Sequence, residues 1–222
     1  MHYTYQEIDW PWVWAIREGM DWREGLSMDE LAAAEARQAE ARVPVPLLYH
    51  IWIGSQLSCM NVEFLKKELG ITHVINISGR IGNCPDFEGL EVLHLPDAVD
   101  VEGYPLLHRH LAEAQAFMAT CVKADGMCVI FCEGGLNRSG LLAAALVLLE
   151  TRWDVVKVVR LLRRQRGEYA LDNESFQEQL VALARQNSCL GPPPVNAPPA
   201  SEREVNPVNW YNMTLCDCAE CK

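Results

Sequence analysis

The chain has 222 residues, half of them apolar, which is enough for one globular domain of about 100 to 200 residues with appendages. Asp and Glu outnumber Lys and Arg by 30 to 19, and the net charge of -11 argues against a general nucleic-acid binder, whose backbone affinity needs clustered cations. No run reaches the roughly 18 apolar residues that span a bilayer, so no membrane partner is expected.

Met1 to Trp14 mixes His2, Glu7 and Asp9 among its aromatics without a basic start, so it does not read as an export signal. Nine cysteines is an odd count in a chain of this length, which favours a reducing compartment, cytoplasm or nucleus, over a disulfide framework. Four tryptophans (Trp10, Trp12, Trp14, Trp22) open the chain and are expected to pack a helix onto the domain. Ser27-Met28-Asp29-Glu30 then sets a cap hydroxyl three residues before a Glu, which predicts a helix from about Met28 to Arg42. Val43-Pro44-Val45-Pro46 breaks it, because proline lacks a donor and restricts the residue before it. Residues 1–46 therefore read as an extension and the domain as starting near Leu47.

From there short β-rich runs (His50 to Ile53, His73 to Ile77, Glu91 to Leu95, Met127 to Phe131) alternate with helical stretches, which predicts an α/β fold with a central mixed sheet flanked by helices. Helices are expected over about Arg138 to Thr151, Trp153 to Arg166 and Asn173 to Asn187, closing the domain at 187. Residues 188–222 follow, with Gly191-Pro192-Pro193-Pro194 and Ala197-Pro198-Pro199 as a stiff linker and a tail bearing Cys216, Cys218 and Cys221. Three tail thiolates are one short of a closed zinc site, so no metal and no cofactor is expected.

The chemistry concentrates in Val129-Ile130-Phe131-Cys132-Glu133-Gly134-Gly135-Leu136-Asn137-Arg138-Ser139-Gly140. A buried strand runs into Cys132, a Gly-containing loop follows, and an apolar helix starts near Arg138. Such a loop curls so that backbone N–H groups of Glu133, Gly134, Gly135, Leu136 and Asn137 face inward, and the helix start adds its positive dipole end, so a phosphate dianion fits. Arg138 closes the cradle with a planar fork able to pair two phosphate oxygens. The same field favours a thiolate, and such settings lower a free thiol pKa of ~8.5 to ~3.5–7.5, which makes Cys132 the candidate nucleophile. Ser139 is placed to assist the sulfur as it leaves. An acid must protonate the departing oxygen, and Asp97 and Asp100, after the Glu91 to Leu95 strand, are the candidates.

Cys132 and Arg138 enclose five residues, and this loop resembles the Cys-(x)5-Arg-Ser/Thr signature of protein tyrosine phosphatases. His50-Ile51-Trp52-Ile53-Gly54-Ser55-Gln56, Glu68 to Asn76 and Asn173 to Leu180 resemble the dual-specificity branch, and together the resemblance covers about Leu47 to Gln186. It implies a phosphorylated protein as substrate, with Cys132 as nucleophile, Arg138 as clamp, Ser139 as leaving-thiolate assistant, and an Asp about thirty residues upstream as acid. Asp100 fits that position, with Asp97 in reserve. Phe131 replaces the usual His, whose hydrogen bonds help order the loop, and Asp172 replaces the usual Pro.

Two other readings stand beside this one. An RNA 5'-triphosphatase is suggested by the likeness of Gly135-Leu136-Asn137-Arg138 to capping-type loops, a branch that typically lacks the acid. A phosphoprotein-binding adaptor with weak or no catalysis is the reading from outside the enzymes. Glu133 speaks against phosphoinositides, since those loops often carry Lys. The arginines at 160, 163, 164 and 166 read as a solvated basic face, with Arg166 a candidate for a second substrate phosphate. By analogy with resolving cysteines in some relatives, Cys84 is a candidate disulfide partner for Cys132. Cys128 is excluded, because four strand residues separate the Cα atoms by roughly 13 Å against a limit of ~7 Å. Oligomeric state leaves no mark in the sequence.

Overall fold

The computed structural model describes residues 9–39, 42–79, 84–195 and 197–199. Strands β1 (Val45–Pro46), β2 (Ile51–Ser55), β3 (His73–Asn76), β4 (Glu91–His94) and β5 (Cys128–Cys132) form one sheet in the order β1-β2-β5-β3-β4. Only the β1–β2 pair is antiparallel, so the sheet is mixed, as expected. A parallel sheet is covered on both faces, which explains why β5 reads as an unbroken apolar run and is buried along its whole length. Side chains alternate across it. Cys128, Ile130 and Cys132 enter the larger core, and Val129 and Phe131 enter a smaller one with Cys59, Leu65, Ile71, Val74 and Phe87.

Helix α3 (Val62–Lys67) contributes Leu65 to the smaller core. The larger core is built by α4 (Leu106–Lys123), α5 (Arg138–Thr151), α6 (Val155–Arg166) and α7 (Glu174–Gln186). Every residue of α5 from Arg138 to Leu148 is buried, consistent with a helix apolar on all sides lying in the interior. Its start therefore faces the C-terminal end of β5, and this junction is the loop singled out by the sequence. None of the described helices is long and apolar enough to cross a membrane.

Before β1 the chain forms α1 (Trp10–Trp14), a π-helical turn (Ala15–Gly19) and α2 (Met28–Ala39). The expected capping box is made: Ser27 Oγ accepts from Glu30 N at 3.3 Å while Glu30 Oε2 accepts from Ser27 N at 2.8 Å. The Ser27 N–H, and after it the Ser27 hydroxyl donating to the same oxygen at 2.8 Å, hold the Glu30 carboxyl below its ordinary pKa. Trp10 and Trp22 are buried, and Val13, Ile16 and Val45 lie in the same core as the sheet. β1 thus pairs with β2 from before the expected start at Leu47, because Val45 has an apolar site to fill.

The arginines of α6 do not form a solvated face. Arg163 is buried and donates through Nη1 to Ile16 O at 2.6 Å, and Arg164 Nε donates to Trp22 O at 3.0 Å. Carbonyl oxygens left free where the N-terminal segment turns are matched by guanidinium donors.

Candidate active site

The loop after β5 folds back over the sulfur at its base. Gly135 N donates to Cys132 Sγ at 3.3 Å, and Ser139 Oγ lies 3.2 Å from the same sulfur. Cys132 is 2% exposed and therefore meets a substrate only through the loop opening. Gly135 has φ +70°, and a Cβ there would come within 2.6 Å of both Gly54 O and Arg166 Nη2, so only glycine permits this curl. Asn137, the N-cap of α5, leaves that helix start without a side-chain cap. Its Oδ1 accepts instead from the backbone N–H groups of Asp172 and Asn173, at 2.8 and 3.2 Å. The first-turn donors of α5 consequently remain directed toward the cradle.

Arg138 is held edge-on. Its Nη1 donates to Ser78 O and, at 3.2 Å, to Ala98 O. Gly79 permits the close approach, since a Cβ at its φ of +74° would meet Ala98 O at 2.6 Å. Nε is buried without a hydrogen-bond partner among the described residues, and Nη2 lies 3.8 Å from the exposed Glu133 carboxylate. Nε and Nη2 share one edge of the guanidinium, the edge that pairs two oxygens of a phosphate. A buried donor left open in this way fits an oxyanion ligand.

The two candidate acids sit differently. Asp100 Oδ1 accepts from Asn173 Nδ2 at 3.2 Å, and Asn173 is the residue whose N–H meets the loop's Asn137. Asp97 pairs with Arg109 at 2.9 Å and faces His110 at 3.8 Å. The segment carrying both is fixed by groups the sequence reading missed. Tyr104 OH donates to Asp97 O at 2.9 Å and meets His110 Nε2 at 2.7 Å. Glu102 accepts from Glu174 N and Ser175 N, at 3.0 and 2.9 Å, and so caps α7. Burial, with Asp97 adding to it, pushes the Tyr104 hydroxyl up to about 12, so it stays a donor at neutral pH. No spacing rule distinguishes Glu102 from any other loop carboxylate, which is why it was invisible.

Phe131 is fully buried, with its ring centroid 5.8 Å from that of Phe87. It offers the loop no donor. Arg166 does: Nε donates to Gly135 O at 3.1 Å and Nη2 to Gly134 O at 3.3 Å. Arg166 is thus turned onto the loop and is not displayed for a second phosphate. Burial lowers its pKa, opposed by the nearby sulfurs of Cys132 and Cys59.

The remaining cysteines separate by setting. Cys84 Sγ accepts from Asn76 Nδ2 at 3.0 Å, at the end of the strand beside β5. Cys128 lies at the far end of β5. Burial pushes the Cys59 thiol up to about 12 and Cys128 well above its ordinary value. No metal-ligating cluster occurs among the described residues, and the tail cysteines lie outside them.

A strand, an anion-cradling loop and a helix, with a cysteine at the base and an arginine at the edge, define the class of cysteine-dependent phosphatases. The chain belongs to the dual-specificity phosphatase family within it: the family model "Dual specificity phosphatase, catalytic domain" matches residues 51–186. Among similar proteins, bovine dual specificity protein phosphatase 26 is 30% identical over 139 residues, 61% of this chain and 64% of that protein. Human dual specificity phosphatase 28 is 29% identical over 170 residues, 73% of this chain and 94% of that protein. Two crystal structures share the fold. That of human DUSP28 has a TM-score of 0.55 at 24% identity, covering 66% of this chain and 99% of the other. That of a mouse putative dual specificity phosphatase has 0.56 at 23%, covering 64% and 87%.

Proposed function

We propose that the protein hydrolyses phosphotyrosine and phosphoserine or phosphothreonine in protein substrates through a phosphocysteine intermediate. The observation that carries this reading is the cradle itself: Cys132 Sγ receives the Gly135 N–H beside the Ser139 hydroxyl, under an Arg138 edge whose Nε has no other partner among the described residues. In the first step Sγ attacks phosphorus, the ester P–O bond breaks, and Asp100 in its acid form protonates the leaving oxygen. In the second, water attacks phosphorus, returns a proton to Asp100 and releases inorganic phosphate, while the departing sulfur is met by Ser139. Arg138 and the inward N–H groups stabilise the equatorial oxygens throughout. A nucleophile of this kind works only when reduced, which supports cytoplasm or nucleus as its location.

Initial rates on phosphotyrosyl and phosphothreonyl peptides and on a 5'-triphosphate RNA test the reading. Release of phosphate from both peptides and not from the RNA is expected. Turnover of the RNA alone would replace it with the triphosphatase, and tight peptide binding without turnover would replace it with the adaptor.

A further inference from the structure

We propose that the N-terminal segment, residues 9–39, is a brace for the phosphate loop and that it acts through Arg166 as a positioning residue. The inference rests on the reading of Cys132 as nucleophile and adds a part that neither the loop motif nor the family match, which starts at residue 51, contains.

For the N–H groups of the loop to face a phosphate, its carbonyls must face outward, where each needs a donor from the protein or from water. Gly134 O and Gly135 O receive theirs from the two nitrogens of one edge of Arg166. The strand residue before the nucleophile supplies none, because Phe131 is apolar and faces the other core. The guanidinium lies close over the loop: a Cβ on Gly135, where φ +70° and the Gly54 backbone already require glycine, would stand 2.6 Å from Arg166 Nη2.

Arg166 is the last residue of α6, where an unsupported helix frays. Here the N-terminal segment grips that end at several points. Gln38 Nε2 donates to Arg163 O at 3.2 Å, beside the Gly167 N–H bond to the same carbonyl at 2.8 Å. Arg163 reaches Ile16 O, and Arg164 reaches Trp22 O and, at 2.6 Å, Glu24 O. Arg160 pairs with the Glu24 carboxylate at 3.1 Å. Four arginines in seven residues of α6 thus divide their work, three holding the segment and the last holding the loop.

The test uses the full-length protein and two readouts, kcat on a small aryl phosphate and the rate of Cys132 alkylation by iodoacetate at pH 7 with its protection by inorganic phosphate. Arg166→Ala is expected to lower kcat by about the 10²-fold that misplacement by an ångström causes, and to slow alkylation, with Tm near wild type. Arg166→Lys, with a single donor group, should recover part of both. Should Arg166→Ala not fold, the lysine variant alone must still fall between wild type and no activity. The double variant Arg160→Ala, Arg164→Ala, which loosens the grip away from the loop, should move both readouts in the same direction by several-fold. Wild-type kcat and alkylation in Arg166→Ala would overturn the positioning role. A double variant identical to wild type beside an impaired Arg166→Ala would overturn the part assigned to the N-terminal segment. If Cys132→Ser hydrolysed the ester as fast as wild type, the nucleophile reading would fail instead, and the alkylation and protection rates would still judge the brace.

Discussion

Two aspartates three positions apart compete for the role of proton donor, and their neighbours separate them. Asp97 is engaged in an ion pair with Arg109 at 2.9 Å. Asp100 accepts from the neutral side-chain amide of Asn173, a residue whose backbone N–H is tied to the phosphate loop. Asp100→Asn should therefore slow an alkyl phosphate by about 10² to 10⁴ while slowing an activated aryl ester far less. The same pattern in Asp97→Asn would reverse the assignment, and its absence from both would favour the triphosphatase. Arg138→Lys should remove most turnover, since a point charge cannot replace a fork whose third nitrogen is already engaged by Ser78 O and Ala98 O. Near-normal kcat/KM for that variant would mean the fork is not used. Thiol reactivity gives a further check. Burial pushes Cys121 up to about 11 and Cys59 to about 12, so one equivalent of alkylating agent at neutral pH should label Cys132 and leave both unmodified by peptide mapping.

At the scale of elements, the segments with strong local signals were legible and those made by tertiary contact were not. The strands His73–Asn76 and Cys128–Cys132 and the helix Arg138–Thr151 lie within a residue or two of where apolar runs and the loop motif put them. The cap at Ser27 was readable because both partners of the box are in sequence. Helix α4 gave no such signal: it starts at Pro105 without a side-chain cap, and its buried positions include His110, Ala114 and Cys121 among larger aliphatics. The roles of Arg160, Arg163, Arg164 and Arg166 were hidden for another reason. Their partners are backbone carbonyls of distant segments, which no residue pattern announces. The site followed the same division, with Cys132, Arg138 and Ser139 readable from the loop and Glu102 and Tyr104 not. Tyr104→Phe should accordingly act as a mild acid-loop variant. It removes the bond to Asp97 O and leaves His110 with one partner fewer, so alkyl esters should slow more than aryl ones while Cys132 alkylation is unchanged. Equal slowing of both ester types would place Tyr104 outside the acid loop's support.

At the scale of the molecule, two buried histidines couple stability to pH. Burial lowers the pKa of His110, against the opposing pull of Asp97, and lowers that of His73 against Glu91. Both therefore take up a proton less readily when folded, and the unfolded chain binds the extra protons once pH drops below about 6.5. Their depressed folded values mean that stability is intact above that pH and is lost as pH falls toward them. Tm should decline from pH 6.5 downward, and His110→Gln should flatten part of the decline; a wild-type Tm constant from pH 7 to 5 would contradict this. Redox state is a second whole-molecule variable. A sulfenic acid on Cys132 would condense with a thiol within reach to give a disulfide and water, and we propose Cys84, at the end of the strand beside β5, over Cys59, whose thiol burial pushes up to about 12. Mapping after mild peroxide should find Cys84 joined to Cys132, and a free Cys84 beside oxidised Cys132 would reject the pair.

The proposed mechanism requires the sulfur of Cys132 as the attacking atom. The most direct measurement is hydrolysis of a small aryl phosphate by wild type and by Cys132→Ser, with inorganic phosphate binding measured on both. The serine keeps the size of the cradle and its donors but is not ionised near neutral pH, so turnover should vanish while phosphate still binds. A Cys132→Ser protein that hydrolyses the ester at the wild-type rate would contradict the mechanism at its first step.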